Sequence, residues 1–144
     1  MAIRTIRAVI EGQDLICAPA SMHVVEAARL MKQHKIGAIV VVDDELVVGI
    51  FTERDALFRV VAEGLDLQST CVADVMTRNP TTIDPDKPFA RALEIMHAGQ
   101  FRHVPVVEKG RAIGIVSSRD AMGPDLEQFM YTLIVEDQAR DILA

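Results

Sequence analysis

The sequence repeats itself. Shifted by 65 residues, positions 24–56 lie on 89–121 without a gap, and nine of those 33 pairs are identical. They are Ala27/Ala92, Met31/Met96, Val41/Val106, Val42/Val107, Gly49/Gly114, Ile50/Ile115, Arg54/Arg119, Asp55/Asp120 and Ala56/Ala121. Most of the other pairs keep apolar character, as in Leu30/Ile95 and Ile39/Val104. A unit this short cannot bury its own apolar face, so each copy is expected to pack on the other.

Both copies share one internal order. Val24, Ala27, Ala28 and Met31 fall at helical spacing with charged and amide residues between them, and Phe89, Ala92, Leu93 and Met96 do the same. Ser21 is placed to cap the first of these helices. Each helix is followed by an apolar run, a polar turn (Asp43-Asp44-Glu45 or Glu108-Lys109-Gly110) and a second apolar run, the pattern of a β-hairpin. The hairpins close on GIFTERD and GIVSSRD, after which ALFRVVAEG returns to helical spacing and stops at Gly64. Strand candidates at 15–18 and 81–83 precede the helices, themselves preceded by the helical pieces IRAVI and VADVM. The reading is an α/β (α+β) chain of two β-α-β-β-α repeats, 5–64 and 70–124, with a helical tail at 125–144. The connection EGLDLQSTC is too short for a free linker. In the tail, Pro124 opens a fresh helix whose stripe of Leu126, Phe129, Met130, Leu133 and Ile134 suits either packing on its own protomer or a dimer contact.

Half of the 144 residues are hydrophobic, enough for a core. A net charge of -6 argues against a nucleic-acid backbone as partner. No apolar run approaches the roughly 20 residues that span a bilayer, and the N-terminal stretch breaks into charge too early for a signal peptide, so a cytoplasmic location without membrane contact is expected. Cys17 and Cys71 lack metal-ligand spacing and read as small buried hydrophobes. The four histidines form no ligand-spaced set and no serine lies in a nucleophile elbow, so neither a metal site nor catalytic residues are assigned.

GIFTERD, GIVSSRD and the run FRHVPVV, all in register within a repeated unit of about 60 residues, resemble the cystathionine-β-synthase (CBS) domain. The tandem pair is similar to a Bateman module, and the likeness runs from about Thr5 to Asp120. The resemblance implies two repeats joined about a pseudo-two-fold axis, two clefts that take adenine nucleotides, and a homodimer. It also implies that backbone groups hold the base, here at Ile16 and Ala18, Thr81 and Ile83, Gly37 and Ala38, and His103 and Pro105.

The residues of the repeated stretch have chemistry that fits such clefts. A carboxylate is an acceptor only, so Asp55 and Asp120 could each bind both hydroxyls of a ribose. Thr52 and Ser117, three residues earlier, could meet a phosphate together with backbone N–H groups, and Arg54 and Arg119 could supply countercharge. The same Asp, Thr and Ser residues are equally suited to capping the helices that follow. The copies differ where Arg102, His103 and Pro105 stand opposite Gly37, Ala38 and Val40. The expectation is two unequal clefts, the one fed by Arg102, His103 and Arg119 being better suited to phosphate.

The function expected from this is a stand-alone regulatory module that binds AMP, ADP, ATP or NAD(H), senses energy or redox state, and signals through its dimer or through another protein that it regulates. No cofactor is required beyond that ligand. A structural protein with empty clefts is the alternative, with an enzyme behind it.

Overall fold

The computed structural model describes residues 3–143. In chain order the elements are α1 (Ile6–Ile10), β1 (Cys17–Pro19), α2 (Val24–His34), β2 (Ala38–Asp43), β3 (Leu46–Thr52) and α3 (Glu53–Asp55), which runs into a π-helical turn at Ala56–Val61. There follow α4 (Val72–Val75), β4 (Thr77–Arg78), α5 (Phe89–Gly99), β5 (His103–Glu108), β6 (Arg111–Ser117), a 3-10 turn at Ser118–Asp120 and α6 (Gly123–Leu143).

The two hairpins, β2–β3 and β5–β6, meet where Leu46 pairs antiparallel with Arg111, giving one sheet in the order β1-β2-β3-β6-β5 with β4 added on β3. The repeats are thereby related by a pseudo-two-fold axis at the centre of the sheet. Symmetry reaches the details: each hairpin carries a bulge, at Val41/Val42 and at Val106/Val107. Each turns through two residues of positive φ, Asp44 and Glu45 in one and Lys109 and Gly110 in the other. Such turns match the right-handed twist of the strands they join. They are one residue tighter than the polar stretches suggest.

The two cores are built by exchange. Ile6 and Ile10 of α1, at the start of the first repeat, pack with Phe89, Leu93, Met96, Val104 and Val116 of the second. Val72, Val75 and Met76, at the start of the second repeat, pack with Val24, Met31, Ile39, Phe51 and Val60 of the first. The backbone is exchanged as well. Phe89 N–H donates to Arg4 C=O at 2.9 Å and Ile6 N–H to Lys87 C=O at 2.9 Å, while Val24 N–H donates to Thr70 C=O and Val72 N–H to Met22 C=O, both at 2.8 Å.

That exchange explains why Ser21 is not a cap. The N-cap positions of α2 and α5 are His23 and Pro88, neither with a side-chain capping bond. Their first free N–H groups, which a helix must satisfy, bond instead to the carbonyls of the entering segment. The strand candidates shift similarly: β1 runs Cys17–Pro19 rather than 15–18, and of 81–83 only Ile83 pairs, in parallel with Val106. The stretch after Asp55 is π-helical rather than α-helical. Cys17 and Cys71 are both free and only half-buried.

In α6, Phe129 joins the second core and meets the His97 ring edge-on at 5.7 Å. Leu126, Met130 and Ile134 stay about half exposed. Arg4 anchors the start of the helix: its guanidinium lies 5.1 Å from the centre of the Phe89 ring, bonds the Asp120 carbonyl, and pairs with the buried Asp125 at 2.8 Å. No described helix is long and apolar enough to cross a membrane.

The glycines of the repeated stretch sit where the exchanged segments press on the hairpins. A Cβ on Gly49 would lie 2.3 Å from the Met76 sulfur and 3.0 Å from the Thr77 carbonyl, and one on Gly114 would lie 2.8 Å from two carbons of Ile10. Overpacking of this kind costs about 1–3 kcal/mol. Gly49→Ala is therefore expected to lower the denaturant-unfolding free energy by about that amount, whereas Gly123→Ala, with open space around its Cβ, should change it by less than about 0.5 kcal/mol.

Candidate functional site

GIFTERD ends β3, and the turn into α3 is closed by Thr52 and Asp55. Thr52 N–H donates to Asp55 Oδ2 at 3.0 Å, and Asp55 N–H donates to Thr52 Oγ1 at 3.2 Å. In GIVSSRD, Ser117 N–H donates to Asp120 Oδ2 at 2.7 Å in the same reciprocal arrangement. Each Asp is thus the third-position partner in a capping box whose N-cap is Thr52 or Ser117. Their remaining oxygens differ in setting: Asp55 Oδ1 faces Thr77 Oγ1 at 3.4 Å and Arg59 Nε at 3.5 Å. Contacts of that length are weak, so this oxygen retains capacity for a ligand hydroxyl.

Around Asp55 lies a cavity of about 910 Å³, within the range of small-molecule and cofactor sites. The first repeat contributes Thr52, Glu53, Arg54, Asp55, Phe58 and Arg59; the second contributes Thr77, Pro80, Thr81, Phe101, Arg102 and His103. The second cavity is smaller, about 400 Å³, and is lined by Lys32, Lys35, Gly37, Glu53 and Arg119 among others.

Six of the residues singled out from the sequence, Thr52, Arg54, Asp55, Thr81, Arg102 and His103, therefore come together in the larger cavity. Gly37 and Arg119 line the smaller one. Ser117 and Asp120 meet each other but line neither, and Ile16, Ala18, Ala38, Ile83 and Pro105 also line neither. For some of these the reason is visible. Ile83 N–H is already bonded to the Pro105 carbonyl at 3.0 Å. One expectation is corrected: Arg102 and His103 do not join Arg119 in one cleft. They line the larger cavity with Thr52 and Asp55, while Arg119 lines the smaller one.

Arg54 is held by its neighbours, 5.5 Å from the centre of the Phe58 ring and 3.5 Å from the Gln100 carbonyl. His103 is held neutral more readily than a free imidazole, because burial lowers its pKa. Glu53 opposes that shift, Arg119 and Arg102 add to it, and Asp120 opposes it more weakly. Arg59, Thr77, Glu53 and Lys35 were not legible as site residues. Thr77 arrives on a two-residue strand that carries no periodicity, and Arg59 and the lysines look like solvated helix faces.

The CBS domain family model matches residues 6–62 and 72–123, and the chain belongs to that family. The CBS domain-containing protein CBSCBSPB2 of Arabidopsis thaliana is 42% identical over 94 residues, which are 65% of this chain and 18% of that protein. This chain thus matches under a fifth of the length of that plant relative. Among solved structures, the CBS domain protein PAE2072 of Pyrobaculum aerophilum, complexed with AMP, superposes with a TM-score of 0.80 at 25% identity, covering 88% of this chain and 98% of that one. The CBS domain pair of MJ0100, in complex with 5'-methylthioadenosine and S-adenosyl-L-methionine, gives 0.74 at 28% identity over 83% and 93% of the two chains.

The His103 environment sets a sign for pH dependence. A folded-state pKa below the unfolded value, about 6.5, means that the unfolded chain binds more protons, so stability is fully present above that value and falls as the pH drops through and below it. Unfolding free energies measured from pH 7.5 to 5 should fall more steeply for the wild type than for His103→Gln.

Proposed function

We propose that the protein is a regulatory module that binds a phosphorylated adenine nucleotide, AMP, ADP or ATP, in the larger cavity. The observation that carries this reading is the arrangement of that cavity. Its lining offers hydroxyls and a carboxylate oxygen with spare capacity, from Thr52, Thr77 and Asp55. The same lining offers Arg102, His103 and Arg54. The first set suits a ribose and the second a phosphate.

PAE2072 in complex with AMP supports the nucleotide class. The methylthioadenosine and S-adenosylmethionine bound by MJ0100 share the adenosine but lack phosphate, and three cationic or protonatable side chains favour a phosphorylated ligand over a sulfonium. The cavity volume also admits NAD(H), which belongs in the same test. Leu57, Phe58 and Val61, more than half exposed on the π-helical turn beside the cavity, are the surface through which a change at the ligand would reach a second copy or a regulated protein. The chemistry needed is binding alone, so the module is regulatory rather than catalytic.

A thermal-shift panel of AMP, ADP, ATP, NAD, NADH, adenosine and S-adenosylmethionine tests this. At 100 times its dissociation constant a ligand adds about 2.7 kcal/mol, or several degrees at roughly 2–4 degrees per kcal/mol. Arg102→Ala should weaken AMP by about 1.5–3 kcal/mol, and leave adenosine unchanged. Silence across the panel would make the module structural; a response to S-adenosylmethionine alone would remove the phosphate from the reading.

A further inference from the structure

We infer that Glu53 couples the two cavities, so that a phosphorylated ligand in the larger weakens binding in the smaller, and the reverse. This coupling rests on the nucleotide reading of the larger cavity and adds its regulation.

The smaller cavity is the symmetry counterpart of the larger. Lys35, Ile36, Gly37 and Arg119, which line it, correspond in the 65-residue register to Gln100, Phe101, Arg102 and Arg54, which line the larger. Among the described residues the two linings share one member, Glu53. It is the only carboxylate of the smaller lining, where it accompanies Lys32, Lys35 and Arg119; in the larger it accompanies Arg54, Arg102 and His103.

Glu53 reaches this place through backbone that both repeats share and side chains that they do not. Its N–H donates to the Gly37 carbonyl at 3.0 Å, and in the second repeat Ser118 N–H donates to the Arg102 carbonyl at 3.1 Å. One copy thus sets a carboxylate beside a bare glycine, the other a short hydroxyl beside a guanidinium. A Cβ on Gly37 would lie 3.0 Å from Glu53 Oε1 and 3.4 Å from His103 Nε2, so both side chains come into the space over Gly37. Burial is the main cause of the lowered His103 pKa, yet Glu53 and, from the smaller cavity, Arg119 also act on that ring. Charges that line different cavities therefore already sense one another.

Glu53 is free to serve either side. It is exposed and, among the described residues, enters no ion pair. A phosphate taken up by Arg102 and His103 repels the carboxylate toward Lys35 and Arg119, whose charge it then offsets against a second phosphate. Coupling between two binding equilibria is reciprocal, so occupation of the smaller cavity weakens the larger by the same factor. Solvent and salt screen an exposed charge, which keeps that factor at the low end of such effects, about fivefold.

The test is calorimetric titration of the full chain with AMP at one fixed ionic strength. The wild type should show two binding steps, the weaker in the smaller cavity. Glu53→Gln retains the backbone bond to Gly37 and removes only the charge, and it should bring the two dissociation constants closer by about fivefold. Glu63→Gln, which removes the same charge away from both cavities, should leave them apart. Thr81→Trp, placed to fill the larger cavity, should abolish one step and tighten the other by about the same factor, and Glu53→Gln added to it should have little further effect. A single step in the wild type would overturn the coupling and leave the nucleotide reading standing. So would a spacing indifferent to Glu53→Gln, the same change from Glu63→Gln, or an equal effect of Glu53→Gln with the larger cavity open and filled. No binding of AMP at all would overturn both.

Discussion

The crossing of the two lead-in segments holds the molecule together. α1 fills the core of the second repeat and α4 that of the first, and each brings backbone bonds that satisfy the opening turn of the helix it meets. Neither repeat completes its core from its own contiguous stretch. Gly49 and Gly114 recur because the entering segments lie directly on the hairpins at those points, with Met76 over one and Ile10 over the other. The same crossing brings β4 onto β3 and carries Thr77, Pro80 and Thr81 to the ends of the first hairpin. The larger cavity is thus a consequence of how the repeats interlock.

A handful of substitutions then makes the two halves chemically unlike. The repeat register sets Gly37 against Arg102, Ala38 against His103 and Glu53 against Ser118, and of these Gly37, Glu53 and His103 are neighbours in space. With no side chain at Gly37, Glu53 and His103 approach each other over it; a side chain there would strike Glu53 at 3.0 Å. Phe58 against Gly123 gives Arg54 a ring to rest on and leaves its counterpart Arg119 without one at that place. The scaffold is symmetric, while the charges around its openings are not.

Much of this was open to reading before any coordinates. The 65-residue register, the two hairpins, the helices at Val24–His34 and Phe89–Gly99 and the fresh helix near Pro124 follow from periodicity and turn chemistry, which are local properties. The resemblance carried by GIFTERD and GIVSSRD led to the right family. Ser21 misled because a plausible side-chain cap gives way to backbone carbonyls from a distant segment, which no local pattern announces. The π-helical turn after Asp55 was equally hidden, since ALFRVVAEG has ordinary helical spacing.

What the sequence determined by itself is the repeat, its elements and the chemical types at each opening, because these depend on neighbours a few positions apart. What only the tertiary structure decided is which residues share an opening. Arg102 and His103 stand next to the second repeat's hairpin in sequence, and His103 pairs with Ser117 through the strand register, yet both line the cavity around Asp55 of the first. The reason is geometric. The antiparallel junction of β3 and β6 and the crossing of α1 and α4 turn the repeats toward each other, so each opening is lined from both, and a residue's partners lie where the pseudo-two-fold axis puts them.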